Sequence, residues 1–185
     1  MKEYQDKKSS IYKMSMIAVM TAVTCVLAPM SIPVGTVPIS FTNLAIYLSL
    51  YLLGWKFGTI SYVMYMLIGM IGVPVFSGFS GGLGKLLGPT GGYIFGFIPM
   101  AIIAGIVIEK TSKRVLQFAA MVAGAAVCYA FGTAWFCIVT QVAVMAALKT
   151  CVLIFIPGDI AKMVIAAFAG PILRERLQKA GLLCR

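Results

Sequence analysis

The sequence predicts an all-α integral membrane protein, one domain over residues 1–185 folded as a bundle of six transmembrane helices. Three observations carry that expectation. Of 185 residues, 61% are hydrophobic and 11% charged, with a mean hydropathy of +1.01, which leaves too few polar side chains to cover a water-soluble globule. The charges fall in blocks separated by long neutral stretches. Because a hydrocarbon core asks for about 20 apolar residues per helix, about six spans and short loops exhaust the chain.

The spans follow from the neutral stretches in order. No charge occurs between Lys13 and Lys56, and the middle of that stretch holds Pro29, Pro33, Gly35 and Pro38. This reads as two helices, about 12–30 and 39–54, joined by a proline-rich turn. The stretch from Phe57 to Gly84 turns glycine-rich after Gly72, so its helical part is about 56–72. Leu86 to Ile108 and Val115 to Leu148 give helices at about 91–109 and 117–139. The last stretch, Thr150 to Leu173, gives a helix at about 153–173 with Asp159 and Lys162 inside it.

Six spans put both termini on one side of the membrane. Sorted that way, Lys2, Lys7, Lys8, Lys13, Lys56, Lys110, Lys113, Arg114, Arg174, Arg176, Lys179 and Arg185 share the terminal side. Only Lys85, Lys149 and Lys162 are left for the other. By the positive-inside rule the termini are cytoplasmic and the protein sits in the cell membrane. The net charge of +10 is then explained without nucleic acid as a partner. A basic start followed by an apolar run also fits a secretory signal, but Pro29 and five further spans favour an uncleaved first helix.

Several chemistries are excluded early. The chain has no histidine, which removes His-based acid/base catalysis, Ser-His-Asp and Cys-His pairs, and His-ligated metals. Cys25, Cys128, Cys137, Cys151 and Cys184 have no CxxC spacing and read as buried thiols. Around Gly84-Lys85 a phosphate-binding loop of the Walker type would need glycine where Phe79 stands and Ser or Thr where Leu86 stands. No cofactor or metal is expected, and energy for active transport would have to come from another subunit or an ion gradient.

Three features stand out against the apolar background. Asp159 and Lys162 lie three apart just after Pro157-Gly158, on one helical face, where a charge needs a partner or a watery cavity. They are either a self-satisfied ion pair pinning the helix end or a polar ligand site, and Asp159 is the one acidic residue assigned to that side. Nine of the nineteen glycines lie between Gly69 and Gly92. That segment is either a loose connector or a structure that folds into the mouth of the bundle, with Phe76, Phe79 and Tyr93 offering flat apolar surfaces. Ala18 and Ala22 form a small-xxx-small pair through which another helix could approach closely. The methionines and remaining aromatic residues read as lipid-facing or interhelical filling.

Gly88-Pro-Thr-Gly-Gly-Tyr93, the preceding Val73-Pro-Val-Phe-Ser-Gly-Phe79 and the late Pro157-Gly-Asp-Ile-Ala-Lys162 resemble the motifs of the BioY family. These are the biotin-binding S components of energy-coupling factor (ECF) vitamin transporters. The resemblance implies a six-helix subunit that captures biotin from outside, works with a transmembrane coupling protein and two ATPases, and catalyses no reaction itself. It also implies that Ala18 and Ala22 contact the coupling subunit.

Biotin carries a polar ureido ring, an apolar thioether ring and an aliphatic chain ending in carboxylate. Its pocket therefore needs donors and acceptors at one end and apolar walls between. The expected substrate site comprises Asp159, Lys162, Thr90, Tyr93, Phe79, Asn43, Gly91 and Lys85. Two alternatives stay open on residues alone: a stand-alone biotin carrier, and an intramembrane enzyme using Asp159. Neither an internal repeat nor a second carboxylate beside Asp159 supports them.

Overall fold

The computed structural model describes residues 2–32 and 38–180; Pro33, Gly35, Cys184 and Arg185 lie outside the described residues. Helix α1 (Lys2–Leu27) is followed by strands β1 (Ser31–Ile32) and β2 (Ile39–Ser40), then α2 (Thr42–Met70), α3 (Leu83–Leu87) and α4 (Gly91–Lys110). Helix α5 (Arg114–Thr140), α6 (Val144–Leu148), a π-helical stretch (Lys149–Leu153) and α7 (Ile156–Lys179) complete the chain. Among the described residues four helices, α2, α4, α5 and α7, are long and apolar enough to cross a bilayer; Ile11–Leu27 is a shorter apolar helix.

The helices expected at 39–54 and 56–72 are the two limbs of α2. Gly54 breaks it with φ 78° and ψ 176°, a backbone conformation open to glycine and costly for other residues. The chain doubles back there. A Cβ on Gly58 would lie 3.2 Å from the Leu50 backbone, whereas a straight helix separates positions eight apart by about 12 Å. On either side of residues 33–37, β1 and β2 pair antiparallel with Ser31 opposite Ser40 and Ile32 opposite Ile39. The last expected span begins later, at Ile156, because Pro157 sits in the first turn of α7, where its missing N–H costs nothing.

Close backbone approach holds the bundle together. Helices α4 and α5 cross on glycines: a Cβ on Gly132 would stand 2.2 Å from the Tyr93 ring, and one on Gly96 3.1 Å from the Cys128 carbonyl. Inside lipid, such packing stands in for the hydrophobic effect between helices. Buried hydroxyls add specific ties. Thr21 on α1 meets the Ser61 hydroxyl on α2 at 3.1 Å, and the Tyr51 hydroxyl donates to Gln117 Oε1 at 3.0 Å. The fully buried Tyr47, Tyr62, Met100 and Met121 fill the centre.

The glycine-rich segment between α2 and α4 is a folded plug, not a loose connector. Phe76 and Ser80 exchange backbone hydrogen bonds at 2.8 and 3.3 Å, Gly78 N–H donates to Pro29 and Gly82 N–H to Gly69. Phe76 is buried and drives its ring over Gly69, where a Cβ would come within 2.2 Å of it.

Candidate functional site

Several elements converge on one cavity, whose empty space of about 710 Å³ includes open solvent at its mouth. The start of α2 contributes Asn43, the plug contributes Phe76, the start of α4 contributes Tyr93, the second half of α5 contributes Tyr129, and the start of α7 contributes Asp159 and Lys162.

The polar centre is a buried ion pair held from three sides. Lys162 Nζ donates to Asp159 Oδ1 at 2.9 Å, and the two side chains are only 8% and 13% exposed. The same ammonium donates to the Ser40 carbonyl at 2.7 Å, so β2 is tied to α7, and it lies 6.0 Å from the Phe41 ring centroid. The Tyr129 hydroxyl donates to Asp159 Oδ2 at 2.5 Å. An ammonium has three donors and a carboxylate about four lone pairs, so the hydrogen bonds among the described residues leave one N–H of Lys162 and a lone pair on each Asp159 oxygen unspent.

The opposite wall is aromatic. Tyr62 stands 5.5 Å from Tyr65 and 5.8 Å, edge-on, from Phe97, while Tyr65 meets Phe76 edge-on at 5.7 Å. The tyrosine hydroxyls are spent on backbone, Tyr62 on the Ile94 carbonyl at 2.8 Å and Tyr65 on the Val75 carbonyl at 3.1 Å. These faces are thus presented as apolar walls. The cavity has a charged floor and a flat apolar side, suited to a small ring system with polar edges.

Asp159, Lys162, Asn43, Thr90 and Tyr93 come together in the lining; Phe79, Gly91 and Lys85 do not. Phe79 occupies the tip of the plug's turn at φ 54° and is 71% exposed. Gly91 is a packing residue, since a Cβ there would overlap the Leu86 carbonyl. Lys85 lies on α3, where partial burial pushes its ammonium below the ordinary lysine range. Tyr129, Tyr62 and Tyr65, taken from the sequence as filling, line the cavity, as do Cys128 and Cys151. A tyrosine placed inside an apolar span was the available signal, because its hydroxyl needs a partner there. Among the described residues no cluster of His, Cys, Asp or Glu could hold a metal.

Glu109 is at the other end, where Oε2 accepts the Trp55 N–H at 3.0 Å beside the Gly54 turn. It shares no site with Asp159. Ala18 and Ala22 lie together on an exposed face of α1, with Met14 and Val26 beside them.

Known proteins match along nearly the whole chain. A probable biotin transporter BioY from Pyrococcus horikoshii is 36% identical over 166 residues, 90% of this chain and 96% of its own length. A biotin transporter BioY from Thermotoga maritima is 44% identical over 114 residues, 62% of this chain and 68% of its own. The crystal structure at 2.1 Å of the S-component for biotin from an ECF-type ABC transporter superposes with a TM-score of 0.84 at 28% identity, covering 91% of this chain and 93% of that one. The BioY family model matches residues 2–179, and this multi-pass membrane protein belongs to the BioY family.

Proposed function

We propose that this chain is the biotin-binding S component of an ECF-type transporter, a capture subunit without enzymatic activity. The observation that carries the reading is the buried Asp159–Lys162 pair, whose unspent donor and lone pairs border an aromatic-walled cavity. Such a pair serves biotin at either end. Asp159 can accept from the ureido N–H groups, and Lys162 can donate to the ureido oxygen or to the carboxylate. Thr90 and Asn43 stand by as neutral partners, with Tyr93, Tyr62 and Phe97 against the apolar ring and chain.

The rest of the transporter is supplied from outside. A transmembrane coupling protein docks on the exposed face of α1 through Ala18 and Ala22, where small side chains admit a second backbone. Two ATPases provide the energy. The basic end, with Lys56, Lys110, Lys113 and Arg114, faces the cytoplasm, so the cavity opens to the exterior. Purification in mild detergent, followed by release and mass identification of the bound small molecule, tests the reading. Biotin in about equimolar amount is expected; a different molecule from biotin-replete cells refutes it.

A further inference from the structure

The geometry points to Tyr129 as a positioning residue for ligand capture: its hydroxyl fixes the Asp159 carboxylate, and the residue lines both the ligand cavity and a second, apolar groove. This rests on the proposed role of the Asp159–Lys162 cavity. Lys162 anchors only Oδ1 of Asp159, and a carboxylate held at one oxygen can swivel, because its terminal torsion is broad. The second anchor comes from a different helix, as Tyr129 on α5 donates to Oδ2. With both oxygens held, the lone pairs that remain point in set directions into the cavity.

Tyr129 lines the ligand cavity and also a groove formed with Ala126, Ala130, Val144, Leu148 and Val152 on α5, α6 and the π-helical stretch. Among the described residues, the bond to Asp159 is the hydrogen bond that ties the Tyr129 side chain in place. Tyr129→Phe keeps the apolar wall and removes only the hydroxyl.

The test is a double-mutant cycle on biotin affinity, with the melting temperature of the ligand-free protein recorded for each variant. Tyr129→Phe should raise the Kd about 10-fold, equivalent to about 1.4 kcal/mol. In an Asp159→Asn background, where the carboxylate no longer reads the ligand, the same substitution should change the Kd less than about 2-fold. If Asp159→Asn is not recovered folded, Asp159→Ser serves as the second background. An unchanged Kd for Tyr129→Phe overturns the inference, and so does an equal factor in both backgrounds, which would mark a merely structural role. A parent protein that binds no biotin removes the functional reading itself, and this inference with it.

Discussion

The two ends of the bundle each hold a carboxylate next to the start of a helix, and they use it in opposite ways. Glu109 is exposed and accepts a backbone N–H from Trp55 just past the Gly54 turn. Its partner is part of the chain's own turn. Asp159 is almost covered, takes its bonds from the side chains of Lys162 and Tyr129, and borders empty space. A carboxylate that completes a turn has finished its work in the folded state. One that is costly to bury, and is held by side chains from separate elements with lone pairs to spare, is the arrangement on which the proposed ligand site rests.

The contrast can be sharpened by separating binding from docking. Ala18→Leu with Ala22→Leu should abolish uptake in cells containing the coupling subunit and ATPases, yet leave the biotin Kd within about 2-fold. Both residues sit on an exposed face of α1 and neither lines the cavity. Val122→Leu, on an exposed face of α5, is the control and should transport normally.

Next in size is the pair of ends itself. Lys162→Ala strips Asp159 of its cation and should raise the biotin Kd by at least about 100-fold, with part of a 3 to 5 kcal/mol cost of about that order appearing as lost stability. Glu109→Gln should leave the Kd unchanged and lower stability by about 0.5 kcal/mol, the usual worth of a charge at a helix start. Equal losses of affinity would erase the distinction. Within the plug, Phe76→Ala should cost about 3 kcal/mol in thermal denaturation, as expected for a buried phenylalanine, whereas Phe79→Ala should stay within about 0.5 kcal/mol. The smallest effect belongs to Lys85→Ala, which should shift the Kd less than about 2-fold because Lys85 stands outside the lining.

The parts of this arrangement that the sequence revealed are those the bilayer penalises. Charge-free stretches marked the helices, and Lys56 marked the place where α2 doubles back. Asp159 and Lys162 drew notice because ions inside apolar segments are expensive. Strands β1 and β2 escaped notice because two residues each leave no alternating pattern to read. The role of Tyr129 is not legible in the sequence because its partner lies 30 positions away, so the hydroxyl's need for a partner does not say which residue meets it. Phe79, Gly91 and Lys85 were drawn in by proximity to glycine-rich motifs, where neighbours in sequence face different ways: Phe79 outward, Gly91 into backbone packing.

Equilibrium binding of labelled biotin to purified protein from biotin-depleted cells tests the account most directly, with the parent, Lys162→Ala and Glu109→Gln measured side by side. One saturable site per chain with a Kd below about 1 µM is predicted for the parent and for Glu109→Gln, and no saturable binding in that range for folded Lys162→Ala. Absence of saturable binding by the parent, or equal affinity in all three proteins, would contradict it.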